Sequence, residues 1–257
     1  MDFNFKRTLT ILITISLLSS CKKNDSDAVT PQTASRVKTY IEEVTNFSNT
    51  VRDTFNVSYD GNGRVVSLIS TFSGAQFLYT YLSNSSYTFQ IKNGTHLVIH
   101  ANFYNNNDLL VDTCFQYNDT KDSTTLKFIY NANRQITEQK AYDYSLPGGA
   151  VLFRKNVYTY NNEGNVLTDA EMDPAGNINY TKTYTYTNFT GSAFFLSTIY
   201  SPVLYKKLPA TISTYYPGTN TTVPINFSYV FDNNNRLIKE TQVNSVGNTA
   251  IKQYIYY

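Results

Sequence analysis

The chain has 257 residues, a formal net charge of +2, two cysteines, two histidines and no tryptophan. With so little net charge, and no dense Lys/Arg cluster beyond Lys22 and Lys23, it lacks the concentrated basic footprint that a nucleic-acid partner requires. Its distinctive feature is 23 Tyr and 16 Phe; with abundant Thr these favour pleated, half-buried surfaces and so an all-β fold.

The first element is a signal. Lys6 and Arg7 precede an apolar run over 9–18, followed by Leu18, Ser19, Ser20 and Cys21. A basic start, an apolar centre and small residues before a cleavage point describe a secretory signal peptide. The apolar run is about ten residues long, interrupted by Thr10, Thr14 and Ser16, against the roughly 20 that a membrane-spanning helix needs. Its ending resembles a bacterial lipobox. That resemblance implies cleavage before Cys21 and acylation of Cys21, palmitate included, by two or three chains. One chain binds a bilayer only marginally, whereas two or more anchor stably.

The expected organisation is a lipoprotein signal peptide over 1–20, a lipidated Cys with a flexible polar tether over 21–36, and one β domain over 37–257. The tether is Lys, Asn, Asp, Ser and Thr with Pro31 and no apolar periodicity. Asp25 and Asp27 loosely resemble an acidic signal that sends some bacteroidete lipoproteins to the cell surface, which favours that face of the outer membrane over the periplasmic one. With Cys21 acylated, Cys114 has no disulfide partner; next to Phe115 it reads as a small buried hydrophobe on a strand.

From Val37 onward one unit recurs. Its clearest copy is Tyr59, Asp60, Gly61, Asn62, Gly63, Arg64, Val65; aligned copies run over 160–167 and 231–238, looser ones over 104–109 and 130–134. An aromatic residue ends one strand, Asp, Asn and Gly turn, and an apolar pair begins the next strand. A type I turn closed by a bulge needs one residue in the left-handed region, which Gly enters freely and Asn tolerates. Gly63, Gly164 and Asn235 occupy that place, and Asp60 and Asp232 are placed to accept hydrogen bonds from backbone N–H groups two residues on. These loops lack the alternating acidic ligands and distal Glu of a calcium loop, so they read as turns, with no metal.

Between the turns, residues alternate with period 2. Tyr180, Tyr184 and Tyr186 share a face against Thr181, Thr183 and Thr185; Ile225, Phe227, Tyr229 and Phe231 share another against Asn226 and Ser228. The expected fold is an antiparallel meander of about 12 to 14 strands, curled around its aromatic side into a half-barrel or barrel-like sheet.

The Tyr-Asp-x-x-Gly-Arg unit resembles the YD repeat of Rhs-type proteins. The whole layout, with its lipobox, tether, hairpin series and the segment Lys207, Leu208, Pro209, Ala210, Thr211, Ile212, resembles a family of bacteroidete outer-membrane lipoproteins of unknown function with a porin-like or half-barrel fold. The resemblance spans about residues 37–257 and implies a fold and a location, without an established activity.

Candidate chemistry is sparse. His96 and His100 lie on a strand-like segment that separates their Cα atoms by about 13 Å at ~3.3 Å per residue, too far to share a zinc ion unaided. Asp169, Glu171 and Asp173 alternate on one strand face, a spacing that paired carboxylates of glycoside hydrolysis also show; they read as a solvated face. There is no nucleophile elbow and no phosphate-binding loop. The aromatic end at Tyr254, Ile255, Tyr256 and Tyr257 resembles the closing strand of an outer-membrane barrel, but Lys182 interrupts a Tyr face and polar residues fill most opposing faces, which speaks against a lipid-facing band.

The expected function is a non-catalytic interaction scaffold, held to the membrane by Cys21, without a cofactor. A glycan-binding accessory module is the alternative, an envelope protein a second possible ligand, and a glycoside hydrolase the weakest reading. Nothing in the sequence sets the oligomeric state.

Overall fold

The computed structural model describes residues 36–47, 49–83, 86–105, 110–117, 123–144, 149–189 and 206–257. Cys21, the signal peptide and the tether up to residue 35 lie outside the described residues, as does part of the looser repeat over 104–109. The strands are β1 (Val37–Asn46), β2 (Asn49–Tyr59), β3 (Val65–Ser70), β4 (Ala75–Ser83), β5 (Ser86–Asn93), β6 (His96–Asn105), β7 (Val111–Tyr117), β8 (Ser123–Tyr130), β9 (Ile136–Asp143), β10 (Val151–Tyr160), β11 (Val166–Met172), β12 (Ile178–Tyr186), β13 (Pro209–Tyr216), β14 (Thr221–Phe231), β15 (Leu237–Asn244) and β16 (Thr249–Tyr256).

Each strand pairs antiparallel with its neighbours in sequence, and β1 pairs with β16, so the meander closes into a 16-strand barrel. The seam is in unbroken register from Thr39 to Thr45, after a bulge between Val37 and Thr39, with Tyr40 opposite Tyr254 and Glu42 opposite Lys252. Sixteen strands exceed the 12 to 14 expected from the repeat spacing. The reversal between β4 and β5 and the long connection between β12 and β13 lack the Tyr-Asp-x-x-Gly signature, and β5 reverses into β6 over only Gly94 and Thr95.

Closure gives the two faces their meaning. The aromatic sides of β8, β12 and β14 point inward, and Thr, Ser and Asn point out. Tyr40 stacks against Phe55 at 5.7 Å, Phe55 meets Phe77 edge-on at 5.7 Å, and Tyr87 stacks on Phe103 at 4.4 Å. Every strand except β14 contributes at least one inward side chain under 10% exposed, among them Phe55, Leu68, Phe89, Leu126 and Leu237. A 16-strand porin encloses water and leaves its lining wet. Here the waist is packed.

Even-numbered strands end, and odd-numbered strands begin, at one end of the barrel. Both ends of the described chain lie there, joined by the Tyr257 N–H donating to the Arg36 carbonyl at 3.0 Å. At this end seven tyrosines act as latches. Tyr59, Tyr81, Tyr130, Tyr160, Tyr186, Tyr229 and Tyr256 donate their hydroxyls, at 2.7–3.0 Å, to the carbonyls of Val37, Val65, Val111, Ile136, Val166, Pro209 and Leu237. Each joins the end of an even strand to the start of the strand before it. On β6 the position in the same register, opposite Val111 across the bulge, is Asn105, which carries no ring.

Candidate functional site

The repeat residues form the rim of the latched end. Gly63 and Gly164 have φ of +79° and +84°, and Asn235 has +58°. Asp60 Oδ1 accepts from the N–H groups of Asn62 and Arg64, both at 2.9 Å, and Asp232 Oδ1 from those of Asn234 and Arg236 at 2.9 and 2.8 Å. Each aspartate also holds its arginine, the Arg64 and Arg236 Nε atoms lying 2.7 Å from Asp60 and Asp232 Oδ2. The guanidinium groups then lie over the next hairpin's latch rings, Arg64 over Tyr81 at 4.0 Å and Arg236 over Tyr256 at 4.6 Å. The Arg236 N–H is the main cause that holds the Asp232 carboxyl below its ordinary range. A Cβ on Gly164 would meet only side-chain ends that can move aside, Lys206 Nζ at 2.7 Å first among them, so this position needs Gly for its φ. The unit is a staple between neighbouring hairpins.

The acidic residues of β11 are not a solvated face. By register Asp169 and Glu171 point into the barrel, and only Asp173 lies in the turn that follows. Asp169, 7% exposed, accepts from Asn156 Nδ2 at 2.9 Å and lies 4.0 Å from Lys182 Nζ. Glu171 accepts from the Tyr180 hydroxyl at 3.0 Å and lies 3.6 Å from Arg154. Burial raises the Asp169 carboxyl, against the pull of Lys182 and Asn156. The same register explains Lys182 in its Tyr face: that face is the interior, where the lysine meets Asp169. A second inward group joins Glu240 to Lys252 at 3.4 Å, with Glu42 opposite the lysine across the seam. Asp53, opposite Glu42, is instead held by the Ser70 and Ser73 hydroxyls at 2.7–2.9 Å and by the Thr54 N–H. Among the described residues no group of three or more His, Cys, Asp or Glu is placed to hold a metal ion.

Cys114 is fully buried and unpaired, its thiol pushed up to about 12 by burial. His96 and His100 both lie on β6 but are not brought together. His100 points outward, its Nδ1 2.8 Å from Gln90 Nε2 and its Nε2 3.1 Å from Asn102 Oδ1. This network is satisfied by the tautomer with the proton on Nε2.

The outer surface of β6 to β10 carries an arrangement that the sequence reading did not single out. His100 stacks on Tyr117 at 4.7 Å with 15° between planes, and Phe115 lies 6.1 Å from Tyr117. Phe115, Thr125 and Tyr142 face one another across β7, β8 and β9. Thr125 between the two rings is only 6% exposed although it points outward. Two residues further along these strands runs a row of lysines, Lys127 opposite Lys140 and Lys140 opposite Lys155. Lys140 Nζ pairs with Glu138 at 3.2 Å and Lys127 Nζ lies over the Tyr142 ring at 5.7 Å. Its signal in the sequence was an aromatic residue in the polar phase of the period-2 pattern, as at Phe115, visible only once inside and outside are assigned.

Comparison with known proteins places this architecture. A porin-like protein from Bacteroides uniformis superimposes with a TM-score of 0.59 at 12% identity, over 86% of this chain and 98% of that one. A porin-like protein from Bacteroides vulgatus gives 0.57 at 10% identity with the same coverage. At these identities what is shared is the fold. No family model and no curated protein matches the sequence.

Proposed function

We propose that this chain is an exported lipoprotein, anchored through acylated Cys21 and spaced from the outer membrane by its tether, whose barrel is a non-catalytic binding scaffold presented at the cell surface. The observation that carries the reading is the sidedness of the barrel. The interior takes the large side chains that pack, such as Phe55, Leu68, Phe89 and Tyr254, whereas the outward positions mix Thr, Ser, Asn, Gln and charged side chains such as Glu43, Arg52, Lys127 and Lys239 with scattered apolar ones such as Ile69, Ile129, Val230 and Ile255, and form no unbroken apolar band. A barrel that crosses a membrane as a channel has a continuous outward apolar band around a wet polar lumen. Arg36, the first described residue, sits at the latched end beside Tyr257.

The test is metabolic labelling with radioactive palmitate in a bacteroidete host, followed by envelope fractionation and protease shaving of intact cells. Label in the wild-type chain and its loss in Cys21→Ala support anchoring, and degradation on intact cells supports surface exposure. Undiminished label in Cys21→Ala, or stepwise conductance of the purified chain in planar bilayers, overturns the reading.

A further inference from the structure

We infer that the outer face of β6 to β9, with Lys155 at its border on β10, is a binding site for an acidic polysaccharide. The inference deepens the scaffold reading by naming the ligand class and rests on it for biological access, but not for the chemistry.

Packing gives no account of the two rows. Inward rings bury apolar area; outward rings at Phe115, Tyr117 and Tyr142 leave part of theirs in water. Lysines directly opposite one another across antiparallel strands repel and weaken the sheet. Glu138 neutralises Lys140, whereas Lys127 and Lys155 have no ion-pair partner among the described residues. The row therefore leaves positive charge beside aromatic surface.

An acidic sugar chain matches both rows at once. A pyranose ring has an apolar C–H face with partial positive charge, which suits the negative face of an aromatic ring. Tyr117 is held for this by the His100 ring stacked on it, and His100 is in turn fixed by Gln90 and Asn102. Adjacent strands are about 4.7–4.9 Å apart, so the backbone positions of the three lysines recur at a spacing close to the repeat of an extended sugar chain. One sugar ring could rest on the Phe115, Thr125 and Tyr142 row while its carboxylate or sulfate meets the lysines alongside.

The test is affinity electrophoresis of the full chain, extracted in detergent, through native gels containing polygalacturonate, dextran sulfate, polyglutamate or neutral dextran. Retardation is expected in one or both acidic polysaccharides, weaker in polyglutamate and absent in dextran; the two acidic gels separate carboxylate from sulfate recognition. Lys127→Gln with Lys155→Gln should weaken the apparent affinity at least tenfold, and Tyr117→Ala comparably. Arg52→Gln with Lys239→Gln, an equal charge change elsewhere on the outer face, should leave it unchanged, with circular dichroism reporting that every variant is folded. No retardation of the wild-type chain, equal retardation by polyglutamate, or equal loss in the Arg52 and Lys239 variant overturns the inference. Because this assay is independent of acylation and of cellular address, its failure is distinct from failure of the lipoprotein reading.

Discussion

Replacing Lys252 by Met should be among the most damaging single changes in the barrel wall. Its Nζ lies 3.4 Å from Glu240 Oε1, with the two side chains only 8% and 9% exposed. Glu42 faces the same lysine across the β1/β16 seam, and Lys252 is the strongest influence holding that carboxyl down against burial. Removing one partner of a buried pair costs about 3–5 kcal/mol, because the remaining charge is left without compensation. For a domain of this size that corresponds to a fall in Tm of roughly 6–20 °C.

The loss should depend on pH, and the sign follows from Glu42. A carboxyl whose folded pKa lies above its unfolded value binds protons better in the fold, so stability falls as pH rises through that interval and is regained on acidification. Without Lys252 the Glu42 carboxyl rises further, so the variant should lose most near pH 7.5 and less near about pH 5. Urea unfolding at both values measures this, and Lys252→Met with Glu240→Gln should recover part of the loss in a double-mutant cycle. A loss under about 1 kcal/mol, or one that is the same at both pH values, would refute the idea that this pair compensates buried charge.

Two tyrosine hydroxyls with opposite surroundings provide a paired test. Tyr186→Phe leaves the Val166 carbonyl without its 2.7 Å donor and should cost about 1 kcal/mol in urea unfolding, whereas the Tyr79 hydroxyl is buried without a hydrogen-bond partner among the described residues, so Tyr79→Phe should be neutral or stabilising. Gly164→Ala places a Cβ on a left-handed backbone and should cost about 1–2 kcal/mol by thermal unfolding. Asp232 has its carboxyl held low by hydrogen bonds, so its contribution is present at neutral pH and lost on acidification through the ordinary aspartate range; Asp232→Ala should flatten that part of the stability profile. Cys114 should resist thiol reagents in the native protein at about pH 8 and react only on unfolding, because it is fully buried and burial pushes its thiol up to about 12.

Local chemistry was legible because it is written locally. Period-2 alternation separates Tyr180, Tyr184 and Tyr186 from the intervening threonines whatever the strands later pair with. A turn that needs a left-handed residue shows itself as Gly63, Gly164 or Asn235. An all-β meander followed from those two signals alone. Strand count was less legible, because Gly94 and Thr95 form a reversal with little more than a Gly to mark it, and the β12/β13 connection carries none of the repeat.

Closure and sidedness were decided only by the tertiary structure. Alternation says that two faces differ; it does not say which one is enclosed until Tyr40 pairs with Tyr254 and β1 meets β16. That single closure moved Asp169 and Glu171 from an expected solvated face to the interior, where Lys182 and Arg154 compensate them. It also turned His100, Phe115, Tyr117 and Tyr142 into an outer surface and aligned Lys127, Lys140 and Lys155 across three strands. A register between distant segments depends on how sixteen strands share one ring of hydrogen bonds, and no local stretch of the chain carries that information.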